Sequence, residues 1–189
     1  MEMQASRELA VTQQQAWDAL NDPEVLKACI QGCDRFEASG EGRYAVGMAV
    51  KIGPVSAKFA GSIVLSDVQP PESYTLSFEG KGGPAGFGKG NAQVRLTPTA
   101  TGCTLNYAVK AQVGGKVAQV GQRLIDGAAK LLADDFFRRF DEEMQRRHPA
   151  AQAAAVPAPV PVSARAGVPA WAWVGGAVLV ALLVWWLSR

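Results

Sequence analysis

The chain has 189 residues and a formal net charge of +2, a length that suits one compact domain with appendages. Its lysines and arginines are scattered and form no basic stripe interleaved with aromatics, which excludes a nucleic-acid surface. Three cysteines, Cys29, Cys33 and Cys103, behind a polar start that predicts no secretory leader, argue for reduced thiols and against a disulfide framework.

Residues 4–11 alternate loosely between polar and apolar side chains and predict a strand. Thr12 then supplies an N-cap oxygen for a short helix over 13–20, with Ala16, Trp17 and Leu20 on its apolar side. Asn21-Asp22-Pro23 ends that helix and begins another, because proline fits a first helical turn and aspartate its cap. The two short helices form a V-shaped insert that closes one end of a sheet.

From 33 to 113 the period is two. Residues 34–39 make a short run, Tyr44 to Ile52 the next, and Val55 to Leu65 another that ends at Pro70-Pro71. Tyr74, Leu76 and Phe78 follow; Ala92, Val94 and Leu96 run to Pro98, and Cys103 to Val113 form the last strand. The opposite faces carry lysine, arginine, serine and glutamine, so one side of an antiparallel sheet meets water and the other a core. Residues 114–147 then hold apolar side chains at steps of three and four, predicting a helix of roughly thirty residues that needs a long partner surface, which the sheet supplies by curving around it.

The order strand, two helices, about six strands, long helix resembles the START-like, or SRPBCC, helix-grip fold, an α+β class. Local motifs narrow the resemblance: Asp22-Pro23-Glu24-Val25-Leu26, Cys29-Ile30-Gln31-Gly32-Cys33, Gly53-Pro54-Val55 followed by Lys58-Phe59, and Gly80-Lys81-Gly82 leading into Gly88-Lys89-Gly90. These are similar to the carbon monoxide dehydrogenase CoxG family over roughly residues 1–145, with Gln31 departing from the proline expected before Gly32-Cys33. The resemblance implies a non-catalytic partner of a molybdenum hydroxylase of the carbon monoxide dehydrogenase type. It further implies recruitment of that enzyme to the membrane and a hydrophobic ligand, such as a respiratory quinone, in the grip cavity.

The residues offer little catalytic chemistry of their own. Gly83 to Gly90 follows the phosphate-loop spacing until its last position, where Gly90 lacks the hydroxyl for magnesium and the chain continues as a strand instead of a helix. The plainer reading is a mobile glycine-rich hairpin displaying Lys81, Phe87 and Lys89 as a partner or gate loop. Three cysteines and one histidine, His148, make no closed zinc site and no Ser/His/Asp set. The acidic and basic residues of the long helix are spaced for pairing on a solvated face.

Small residues along that helix leave room beneath it. The expected cavity is lined by Val46, Met48, Val50, Phe59, Ile63, Leu76, Phe78, Leu105 and Tyr107 from the strands and Val120, Leu124, Ala128 and Leu131 from the helix. No covalent cofactor and no metal are expected; a bound quinone or lipid is.

Three segments are therefore predicted: a domain over 1–147, a Pro/Ala-rich disordered linker over 148–169 and a transmembrane anchor over 170–187. The anchor is about eighteen apolar residues, about 27 Å as a helix, close to the hydrocarbon thickness. Trp171 and Trp173 stand at one end and Trp185 and Trp186 at the other, where indoles prefer the interfaces. Arg146, Arg147 and Arg165 before the span and Arg189 after it place the domain on the cytoplasmic side of a bacterial inner membrane. Two competing classes are an enzyme of the same fold, a cyclase or hydrolase acting on an apolar substrate, and a recruiter with no ligand.

Overall fold

In the computed structural model, residues 1–149 are described. Strand β1 (Glu2–Leu9) leads into α1 (Gln13–Leu20) and α2 (Pro23–Cys29). There follow β2 (Cys33–Gly40), β3 (Arg43–Ile52), β4 (Val55–Gln69), β5 (Ser73–Lys81), β6 (Phe87–Thr99), β7 (Gly102–Gly114) and α3 (Gln122–Arg147). The strands form one antiparallel seven-stranded sheet in the order β1-β7-β6-β5-β4-β3-β2.

The local chemistry explains the insert. Thr12 Oγ1 accepts from the Gln15 amide at 3.3 Å while Gln15 Oε1 accepts from the Thr12 amide at 3.0 Å, a reciprocal cap on α1. Asp22 Oδ1 accepts from the Glu24 amide at 2.9 Å, and Pro23 opens α2. The V then buries Trp17, Leu20, Val25 and Cys29 against Leu9, Leu96, Cys103 and Leu105 of the sheet and Phe137, Phe140 and Met144 of α3. Trp17 meets Tyr74 edge to face, and Tyr107 stacks on Phe137 at 5.4 Å between ring centres.

The long helix differs from expectation at its start. It begins at Gln122 and not near Gly114, because β7 continues to Gly114, Gly115 and Gly121 take positive φ, and residues Lys116–Val120 form a 3₁₀ turn between them. Its buried face differs in part: Ile125 and Phe140 are buried as the spacing predicts, but other apolar positions are not. Phe137, Phe140 and Met144 face the core, whereas Leu131 is 71 % exposed and Leu124 51 %. At about 100° per residue, the nine positions from Leu131 to Phe140 put the two on opposite sides of the helix. The C-terminal half is what the core holds. Arg7 pairs with Asp134 and lies over the Phe137 ring, and Arg147 donates to Asp22 at 2.9 Å, fastening the helix to β1 and to the head of α2.

The glycine-rich hairpin is tighter than predicted. Only Gly83–Ala85 turn, as a 3₁₀ segment, and β6 is already paired to β5 from Phe87. Among the described residues no helix is long and apolar enough to cross a membrane. The linker beyond Pro149 and the predicted anchor over 170–187, with its four tryptophans, lie outside the described residues.

An apolar cleft as the candidate functional site

The inner faces of β3 and β4 alternate so that Val46, Met48, Val50 and Ile52 stand beside Phe59, Gly61 and Ile63, with register pairs Met48↔Phe59 and Val46↔Gly61. Ile63 in turn pairs with Phe78 of β5. These residues line a cleft of about 340 Å³ that is completed by Ile30 after α2, Val113 of β7 and Val117 of the 3₁₀ turn. Ser62 and Glu79 contribute backbone only: strand alternation turns their side chains outward, where both border a hollow on the opposite face. The cleft therefore presents hydrocarbon and no ionisable group.

Of the strand residues expected in the cavity, Val46, Met48, Val50, Phe59, Ile63 and Phe78 come together here. Leu105 is instead buried in the core, with Leu76 and Tyr107 packed against it. None of the expected helix residues borders the cleft. Val120 and Ala128 are half-buried elsewhere, Leu131 is largely exposed, and Leu124, half exposed, rests its Cδ1 beside Gly53 in the β3–β4 turn. Ile52 shares the parity of Val46, Met48 and Val50, and Val113 that of Leu105 and Tyr107, so strand alternation finds both; Ile30 and Val117 are brought in by tertiary contact alone.

Phe87 stands at the rim, 43 % exposed, its ring lying over Gly114, while Lys81 is paired with Glu79 at 3.2 Å and Lys89 lies opposite Glu79 in register. The three thus belong to paired strand ends and not to a loose tip. The stretch with phosphate-loop spacing runs into β6, so no helix N-terminus stands behind it.

Titratable groups near the core are quiet. Burial, helped by Glu143, pushes the Cys29 thiol up to about 11, and burial with Glu8 does the same for Cys103, so both stay protonated at neutral pH. Burial also raises the Tyr74 phenol. Among the described residues no group of three His, Cys, Asp or Glu side chains is placed to hold a metal ion. A wider trough of about 820 Å³ lies on the outer face, bordered by Gln4, Ser6, Gln93, Arg95 and Asn106; it is polar and open to water.

Comparison with known proteins bears on this geometry. The sequence profile of the carbon monoxide dehydrogenase CoxG family matches residues 6–145. A conserved protein from Geobacillus kaustophilus of known crystal structure is 39% identical, with a TM-score of 0.73 over 77% of this chain and 96% of that one. That relative is thus almost wholly this domain, so its chain forms the fold with little else attached, and residues 1–149 hold the whole sheet and α3. A protein from Rhizobium leguminosarum (12% identity, TM-score 0.61, covering 77% of this chain and 95% of that one) shares the fold. So does the Zhui aromatase/cyclase from Streptomyces (12% identity, TM-score 0.57, covering 80% of this chain and 97% of that one). The comparison with curated proteins gave no match. The α+β sheet and C-terminal helix are the helix-grip architecture, and the chain belongs to the carbon monoxide dehydrogenase CoxG family.

Proposed function

We propose that this chain is a non-catalytic accessory protein of a molybdenum hydroxylase of the carbon monoxide dehydrogenase type, holding an apolar ligand, a quinone or lipid, in the cleft. The single observation that carries the reading is a cleft of about 340 Å³ lined by aliphatic and aromatic side chains with no acid, base or nucleophile among them. That size lies in the range of about 300–1,000 Å³ used for small-molecule sites. A cyclase or hydrolase needs a positioned proton donor or acceptor beside its substrate, and the cleft provides none. The segment over 170–187 serves as the membrane anchor in this reading, keeping the domain at the cytoplasmic face of the inner membrane beside both the quinone pool and the dehydrogenase.

The test is native mass spectrometry of residues 1–149 expressed in a quinone-containing host and purified without detergent, followed by organic extraction. One quinone or lipid per domain is the expected result. Repeated recovery of an empty domain would leave a recruiter with no ligand. The anchor is tested separately by fractionation: the full chain sediments with membranes and a chain ending at Pro149 does not.

A further inference from the structure

We propose that the cleft is a clamp for a hydrocarbon chain of about a dozen carbons and recognises no polar head group; this rests on the reading of the cleft as the ligand site. Register places Gly61 opposite Gly80 and Gly80 opposite Gly88, so three neighbouring strands carry no side chain along one row of the inner face. That row is the floor of the cleft. A Cβ built on Gly80 or Gly88 meets nothing within 4 Å, so both positions look into open space.

The aromatic walls leave the floor uncovered. Phe59 sits two residues before Gly61 on β4 and leans sideways, so that a Cβ on Gly82 would lie 2.7 Å from its ring. Phe78 sits two residues before Gly80 and leans over Gly90, whose Cβ would lie 2.8 Å from its Cζ. At about 3.3 Å per residue and about 4.8 Å between strands, the row of Phe59 and the row of Ile63 and Phe78 stand about 13 Å apart backbone to backbone, less between their side chains, and the glycine row between them crosses about 10 Å of sheet.

Its chemistry is as selective as its shape. The floor's amides and carbonyls are engaged in the ladders with neighbouring strands and point within the sheet, not up from it. The side chains around it are Met48, Phe59, Ile63, Phe78 and Val113. A carbonyl or hydroxyl carried down to the floor exchanges water for no partner, whereas a methylene there loses nothing. At about 30 Å³ for each water-sized group, the cleft holds about a dozen carbons, two isoprenoid units and a little more. A longer chain leaves through the open side, and its polar end stays outside.

Displacement of the fluorescent apolar probe N-phenyl-1-naphthylamine from residues 1–149 tests this with hexanol, octanol, decanol, dodecanol and tetradecanol. Affinity rises about fourfold per added methylene as far as dodecanol and then levels. At equal chain length, decanol, decanoate and a decyl-substituted benzoquinone bind within about threefold of one another, and dimethoxybenzoquinone without a chain does not compete. Gly80→Leu and Gly88→Leu each weaken decanol at least about tenfold by occupying the floor, with the melting temperature as the folding control. The chain-free quinone binding as tightly as its decyl derivative, or affinity indifferent to chain length, would overturn the clamp while leaving a ligand site. Absence of any binding by the probe and by every alcohol would overturn the ligand site itself.

Discussion

Replacing Phe140 by alanine tests whether α3 is held by its C-terminal half. Phe140 is fully buried, stacks on Phe136 at 5.9 Å between ring centres, and belongs to the same cluster as Trp17, Val25 and Leu105. Truncating a phenylalanine at such a site costs about 3–5 kcal/mol, the lost transfer energy plus the cavity left behind. For a domain near 150 residues each kcal/mol moves the melting temperature by about 3 °C, so Phe140→Ala lowers it by about 12 °C. Leu131→Ala removes an equally apolar side chain, but one that is 71 % exposed, and changes stability by no more than about 0.5 kcal/mol. Calorimetry of both variants in residues 1–149, with reversibility checked by a second scan, gives the comparison. If Leu131→Ala costs as much as Phe140→Ala, the helix buries its other face and the account of the open cleft fails with it.

Gly61→Ala is destabilising by about 1–3 kcal/mol because its Cβ would lie 2.7 Å from the Gly80 Cα and closer still to the Glu79 carbonyl, whereas Gly80→Ala meets open space and is tolerated; urea denaturation midpoints of the pair decide this. In the native protein at pH 8, Cys33, half-buried, reacts with a disulfide reagent well before Cys29 and Cys103, whose thiols burial holds up at about 11; peptide mapping that finds equal labelling of all three would contradict that burial. Burial pushes the Asp22 carboxyl upward, but hydrogen bonds from Arg147 and from the Glu24 and Val25 amides outweigh it and hold the group below the usual carboxylate range. Its contribution is therefore present above that range and is lost as pH falls through the folded value. Asp22→Asn is accordingly less stable than the parent at pH 7 by about 0.5 kcal/mol, modest because both partners are about a third exposed, and the difference closes below about pH 4. A difference that stays constant with pH removes the ion pair from the account.

Much of the architecture is legible in residue order. The alternation of Tyr44, Val46, Met48, Val50 and Ile52 gives β3 and its inner face, Thr12 and Asp22-Pro23 mark two helix starts, and Pro149 closes α3. Each of these is a local rule: a side chain at period two, a cap oxygen, a missing amide hydrogen. The candidate cleft is only half legible for the same reason. Val46, Met48, Val50, Phe59, Ile63 and Phe78 follow from strand parity and lie in it, while Ile30 and Val117 arrive from irregular segments that no period describes.

What residue order by itself determined is the set of elements, the inner face of each strand and the family motifs. Two things were decided by tertiary structure alone. The sequence of α3 carries apolar residues on more than one side, and the docked side is chosen by Phe137, Phe140 and Met144 meeting the V of α1 and α2, with Arg7 and Arg147 fastening it, so that Leu131 is left exposed. The floor of the cleft exists because register brings Gly61, Gly80 and Gly88 side by side. They are distant in sequence, and backbone pairing between strands, not any local preference, opens the hollow over Gly80 and Gly88 while Gly61 lets its strand lie close against the Glu79-Gly80 backbone.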